Sequence, residues 1–521
     1  MTRQPPSIFN DVIGPVMRGP SSSHTAAAAR IGMLARQMVR GRIAAVAVEF
    51  HPEGSLATTY HGQGSDIGLV GGLLGYTTRD ERLPCSLQIA LQEGLDVSFR
   101  VVDYAATHPN TYRMTLKSDR GETVSATAIS TGGGMIRYEE VAGYPVSICG
   151  DFFETLVFCA DAASLDNVRT CLEQGLPYEH LDEVRKGEAH LAVLKTASAV
   201  PADVLSILSG IAGVGPVLCL SPVLPVLSSK DVRVPFLSAE EMLARCGSES
   251  ALHETALLYE SCRGRVSREV VMAMMDDLVS LLRASIEQGL AGTEYADRIL
   301  GRQSHLISVA TRQGKVIPGD ALNRAISYIT ALMEVKSSMG VIIAAPTAGS
   351  CGALPGTILG VCDTLGLQPE DATRAMLAAG VVGGFIAEHA TFAAEVGGCQ
   401  VECGAGSAMA AAGLVDLMGG TAGQAIDAAA MALQNVMGMI CDPVAERVEV
   451  PCLGKNVMAG ANAIACATMA LAGFDKVIPL DETIDAMYRV GQQLPAELRC
   501  TGKGGLSITP KGQEIHAALT S

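Results

Sequence analysis

Tryptophan is absent from the sequence, and aromatic residues make up only 4% of it. The 48% hydrophobic content must therefore come mostly from Ala, Val, Leu, Ile and Met, interleaved with 56 Gly. Charge is scarce as well, at 18% against the usual quarter. Helices built from such small residues pack backbone to backbone, and a surface poor in charge suits subunit contact, so a homodimer is expected. Positive charge is the scarcer sign: 38 Lys and Arg stand against 54 Asp and Glu, a net charge of −16 with no basic run. That excludes a nucleic-acid partner, whose phosphates demand a basic face. The opening residues, MTRQPPSIFNDVIG, lack the apolar core of a signal peptide. With no secretion signal, the 15 cysteines read as reduced thiols of a cytoplasmic protein, and an odd number cannot all pair within the chain. One uncharged run, residues 337–362, is long enough to span a bilayer, but Pro346, Pro355 and several glycines interrupt it. Buried helices joined by a tight loop are expected there, and no membrane partner.

A chain of 521 residues exceeds one ordinary core, and its texture changes twice. Residues 1–148 mix alternating runs such as IAAVAVEF, TYRMTLKS and TVSATAIS with an alanine-rich helix, which predicts an α/β or α+β domain. Residues 149–228 read strand, helix, strand, strand, helix, strand, the ferredoxin-like order, and in size resemble an ACT module. The glycine-rich turn usual after the first strand of such modules is not evident, so an architectural role stands beside effector binding. Residues 229–521 are expected to be all-α, with apolar spacings of three and four followed by alanine-rich interior helices.

Cysteines in this last region fall into two kinds. Cys362 and Cys466 lie inside apolar helical patterns and read as small buried hydrophobes. Cys399, Cys441 and Cys452 each sit at a break: Gly397-Gly398 precede the first, Asp442-Pro443 follow the second, Pro451 precedes the third. Glycine and proline fix loop direction, as a preplaced metal site requires. Three thiolates from separate loops can hold an iron–sulfur cluster and leave one iron for substrate; a zinc site, or three ordinary buried cysteines, fits the same spacing. Cys403 follows Cys399 at helical spacing and is expected to pack.

A second pattern is suited to an anion. In GPSSSHTAAAARIG, a turn and three serines lead into a helix. Ser21, Ser22, Ser23, His24 and Thr25 therefore either cap that helix or hold a small carboxylate at its N-terminus. Thr347, Ala348 and Gly349 form a similar turn in the uncharged run. Gly504 and Gly505, beside Lys503, make a flexible turn suited to closing over a carboxylate or simply to an exposed loop. Glu395 and His389, just before Cys399, are candidate proton carriers or hydrogen-bonded structural groups.

Several of these stretches in one order carry a resemblance. GGCQVECG, CDPVAERVEVPC, AAPTAGSCGALPG and CTGKGGLS resemble the α domain of iron–sulfur-dependent L-serine dehydratases. IGPVMRGPSSSHTAAAARIG and GSLATTYHGQGSDIGLVGGLLG resemble the β domain of the same enzymes. The resemblance implies a [4Fe-4S] cofactor on Cys399, Cys441 and Cys452. It implies substrate contacts from residues 21–25, Thr347, Ala348, Gly349, Gly504 and Gly505, with His24 and Lys503 as catalytic candidates. It also implies dehydration and deamination of L-serine to pyruvate and ammonia. Two departures stand out. Some single-chain members end in a cysteine that reaches the cluster, whereas residues 516–521 read HAALTS and Cys500 is too far upstream to align with that ligand. The fourth iron is then expected to be open. Gln63 stands in GQGSD where the family motif commonly has histidine. That keeps another small β-hydroxy acid open as substrate, and a metal-bearing amino-acid sensor is the non-enzymatic alternative. No lysine lies in a phosphate-cradling context that would suit pyridoxal phosphate.

Overall fold

The computed structural model describes residues 4–520 apart from 174 and 297. The strands are β1 (Val16–Arg18), β2 (Ile43–Phe50), β3 (Asp96–Val101), β4 (Thr111–Ser118), β5 (Thr123–Gly132), β6 (Met135–Val141), β7 (Tyr144–Ile148), β8 (Phe153–Cys159), β9 (His180–Lys186), β10 (Ala189–Thr196), β11 (Val214–Leu220) and β12 (Val341–Ile343). The chain is thus a multidomain mixture of helix and sheet.

Strands β2 to β7 form one six-stranded sheet in the order β3-β2-β4-β5-β6-β7, antiparallel except for the β2–β3 pair. Alternation sends Val46 and Val48 of β2 and Tyr112, Met114 and Leu116 of β4 to one face. Helix Ala27–Ala35 covers that face with Ile31 and Leu34. It crosses helix Ser65–Leu73 in near backbone contact: a Cβ on Gly72 would lie 2.1 Å from Ala29 O, and one on Gly68 2.2 Å from Thr25 O. Only glycine permits that approach, and the crossing sets the place of the Ser21–Thr25 turn.

Strands β8 to β11 with helices Ala162–Glu173 and Ala202–Gly210 have the element order expected for residues 149–228. Their sheet runs β11-β8-β10-β9, all antiparallel, as in a split βαβ arrangement. The two faces have different work. Leu156, Leu191 and Val193 join the core of the six-stranded sheet, while the alternate residues Val157, Ala192 and Leu194 pack under the unit's own helices.

Among the described residues from Ala239 onward, the regular elements are helices apart from β12 and an isolated bridge between Cys441 and Arg499. The expected all-α region therefore needs one correction: Val341–Ile343 pairs antiparallel with Val16–Arg18. Residues 8–13 also pack with the helices, since Ile8, Phe9, Val12 and Ile13 share a core with Ile358, Val382, Phe385 and Met409. These two contacts stitch the first segment of the chain to the helical region and bring residues 21–25 opposite residues 346–350. No helix among the described residues is long and apolar enough to cross a membrane; Pro346 and Pro355 lie in a turn and in helix Ala353–Leu365.

Candidate active site and metal centre

Cys399 opens a single 3₁₀ turn, Cys399–Val401, after Gly398. Gly398 has φ +75°, a left-handed conformation that glycine adopts without strain. Cys441 lies in an extended strip clamped on both sides: its N–H donates to Leu498 O at 2.8 Å, and Cys500 N–H donates to its carbonyl at 2.9 Å. Cys452 is the first residue of helix Cys452–Leu471, and burial raises its thiol well above the ordinary value. All three side chains are buried.

Cys399 and Cys441 sulfur atoms and a carboxylate oxygen of Glu402 lie within 4.8 Å of one another. Cys452 lines a cavity with Cys441 and Glu402 but lies outside that compact set. Lys455 supplies the nearest cation. Its Nζ stands 3.8 Å from Cys399 Sγ and donates to Asp442 Oδ1 at 2.8 Å and Ile440 O at 2.7 Å. A hydrogen bond from the Cys441 thiol, with the Lys455 charge acting against burial, lowers the Cys399 thiol below its ordinary value. Cys441, donating to Cys399 and close to Cys500, is raised. Buried cysteines gathered beside a fixed ammonium, which offsets the charge their thiolates would carry, are the donor chemistry that an iron–sulfur cluster needs. The residues present therefore fit such a group.

Asn456 holds this wall together. Its Nδ2 donates to Gly349 O and Cys452 O, each at 2.8 Å, and its Oδ1 accepts from Gly352 and Ala353 N–H at 3.2 and 2.9 Å. Truncation would leave several buried backbone groups unpaired, each costing roughly 1–3 kcal/mol. Asn456→Ala is expected to lose about 2–4 kcal/mol of stability, with a clear fall in the urea midpoint; an unchanged midpoint would contradict this bridging role.

The facing wall comes from the first part of the chain. Ser21 and Ser23, Gln63, Gly349, Glu395 and Cys500 line the cavity with Cys441, Cys452 and Glu402. Ser22 Oγ accepts from Ala348 N–H at 3.2 Å, joining the two turns that the sequence marks for substrate. Thr347 pairs with Ser350 at 3.1 Å, and Thr25 Oγ1 donates to Gln63 O at 2.8 Å.

His24 is wholly buried between the walls. Thr59 Oγ1 spends its proton on Ser55 O at 2.6 Å, so at 2.9 Å from His24 Nε2 it must accept. The imidazole therefore carries its proton on Nε2. Nδ1 is the bare nitrogen, facing Ser21 Oγ at 3.1 Å and Glu395 Oε1 at 3.5 Å. Burial lowers the His24 pKa to about 3, so the ring is neutral, and burial also raises Glu395. Among the described residues Glu395 Oε2 meets no partner in good hydrogen-bond geometry, although Ser23 and Asn110 lie close to the carboxyl group. A neutral imidazole nitrogen and a carboxyl group that burial holds against ionisation thus face each other at 3.5 Å.

Some expectations land elsewhere. Lys503 is exposed and does not line the cavity; it stands between the left-handed Gly502, at φ +67°, and the buried Gly504. Gly505, at φ +60°, sits over Asp442, whose Oδ2 accepts from Leu506 N–H at 2.9 Å. Gly504 is buried but is likewise outside the cavity lining. His389 is exposed and bonds Leu237 O at 3.1 Å. Cys403 packs as expected, near Gly349 O and the Asn456 amide. Cys500, which its position in the sequence set apart, lines the cavity and accepts from Gln63 Nε2 at 3.4 Å. Glu402, Thr59 and Asn456 were not singled out in the sequence; the signal for Glu402 was its place between two cysteines.

A family model described as "Serine dehydratase alpha chain" matches residues 188–507, more than half of the chain. The probable L-serine dehydratase alpha chain of Bacillus subtilis is 42% identical over 253 residues, 49% of this chain and 84% of that protein. The L-serine dehydratase alpha chain of Peptoniphilus asaccharolyticus is 34% identical over 281 residues, 54% of this chain and 96% of that one. The probable L-serine dehydratase beta chain of Bacillus subtilis also matches, 40% identical over 190 residues, 36% of this chain and 84% of that protein. By its family match and by relatives covered over most of their length, this chain belongs to the serine dehydratase alpha chain family.

Proposed function

We propose that the protein dehydrates L-serine, giving pyruvate and ammonia, at the cavity between Cys399, Cys441, Cys452 and the Ser21–Thr25 turn. The observation that carries this is the meeting, in one buried cavity, of a thiol group suited to iron and a turn suited to a carboxylate. Serine loses its α-proton and its β-hydroxyl as water; the aminoacrylate tautomerises to an imine, and hydrolysis releases pyruvate and ammonia. When bound, a [4Fe-4S] cluster on Cys399, Cys441 and Cys452 supplies a Lewis-acidic iron that eases departure of the hydroxyl. The chain's own residues do the rest. The Ser21–Thr25 turn and the Thr347-Ala348-Gly349 turn, tied through Ser22, orient the carboxylate. His24 Nδ1 and Glu395 accept and return protons. Exclusion of water strengthens each of these polar contacts. Lys455 offsets thiolate charge, and Lys503, standing in solvent, takes no part.

Residues 149–228 are read as an ACT-like module of architectural role, because one face of its sheet is spent on the neighbouring core. The low charge content supports a homodimer, and the reduced thiols a cytoplasmic enzyme. The other small β-hydroxy acids and the sensor reading are not favoured by the family match. Anaerobic purification tests the reading: a brown protein releasing pyruvate from L-serine is expected. Brown protein that turns over another β-hydroxy acid but not serine, or colourless protein holding zinc, would overturn it.

A further inference from the structure

We propose that Glu402 is an oxygen donor to the metal group, occupying the iron that three cysteines leave open until the substrate hydroxyl takes its place. This rests on the cluster reading above. Glu402 belongs to the most compact donor set among the described residues, with its carboxylate within 4.8 Å of the Cys399 and Cys441 sulfurs, closer company than Cys452 keeps.

Its backbone is built to hold it there. Glu402 has φ −106° and ψ −82°, which breaks the chain between the turn Cys399–Val401 and helix Cys403–Leu417. Both sides of the break are pinned: Glu402 N–H donates to Cys399 O at 3.1 Å, and its carbonyl accepts from Gly406 N–H at 2.8 Å. Gly349 leaves the carboxylate its room, since a Cβ at that position would lie 3.1 Å from Glu402 Oε2. No Lys, Arg or His nitrogen among the described residues comes within ion-pair distance of Glu402; Lys455, the nearest cation of the site, is engaged by Asp442 at 2.8 Å. A carboxylate facing a thiol-lined cavity without a cationic partner has the chemistry of a metal ligand, and carboxylate oxygen suits iron as a hard donor beside the softer thiolates. Binding breaks the carboxyl O–H bond, forms one iron–oxygen bond, releases a proton to solvent and moves no electrons.

Cys500 is the rival donor, its thiol held by Gln63 in the same cavity. The test uses the full chain reconstituted anaerobically with iron-57 and sulfide, as wild type, Glu402→Gln, Gly349→Ala and Cys500→Ala. Mössbauer spectra are expected to show one iron site of oxygen-containing coordination in the wild type. Glu402→Gln should shift that site alone and speed its loss to oxidant about tenfold, Gly349→Ala should shift it partly, and Cys500→Ala should leave it in place. An unchanged spectrum in a Glu402→Gln protein that holds its cluster overturns the proposal, as does a shift confined to Cys500→Ala. Absence of any cluster from the wild type would instead remove the reading on which the proposal rests.

Discussion

Cys441→Ser is expected to abolish iron retention and serine turnover together. Cys441 is the centre of the site in two senses. Its thiol bonds Cys399 and approaches Cys500, and its backbone carries both hydrogen bonds that draw residues 498–500 onto the cavity. A serine hydroxyl at this position keeps the backbone bonds and the packing volume, so the fold should survive. It removes a soft sulfur donor that gives up its proton when iron binds, and a serine hydroxyl is a far poorer ligand for that iron. The brown colour of a thiolate-bound cluster should fall to background while the circular dichroism spectrum is retained. A variant that keeps both colour and activity would refute the ligand assignment.

His24→Asn is expected to lower kcat about 10²–10³-fold with iron content unchanged, the usual scale for removing a positioned proton carrier. Asparagine can still bond Thr59, but it offers no bare imidazole nitrogen toward Ser21 and Glu395. A loss confined to KM would make His24 a binding residue only. The same variant carries a stability signature. The imidazole titrates near 6.5 in an open chain and about 3 in the folded protein. Between those values the unfolded chain binds a proton that the folded one refuses, so stability falls as pH drops from 6.5 toward 3. The wild type should lose midpoint temperature over that range more steeply than His24→Asn; parallel curves would place the imidazole in a wetter, ionisable setting.

Legibility in the sequence followed the range of the interaction. Strands β2 and β4 were readable because alternation is local, and so was the βαββαβ order of residues 153–220. Strands β6 and β7 escaped notice: MIRYEEV and YPVSI carry charges or a proline, and their place is set by pairing along β5. The three-residue pair β1 and β12 has no pattern of its own and exists because the two segments meet. At the site, glycine and proline flags pointed to Cys399, Cys441 and Cys452, since breaks in helical pattern are written locally. The spacing of Cys399 and Cys403 suggested one helical face, and the break at Glu402 replaces that with a turn followed by a helix. Cys500 entered through the Cys441 strip and Lys503 left through the Gly504–Gly505 turn, both consequences of closure between distant segments.

The central claim is that a cluster on Cys399, Cys441 and Cys452 and serine dehydration belong to one cavity. Iron, acid-labile sulfide and L-serine-dependent pyruvate release, measured on one anaerobic preparation and followed during exposure to air, test it most directly. About four iron and about four sulfide per chain are predicted, with activity and the labile iron lost in step. Pyruvate release that persists after the iron has gone would contradict the account.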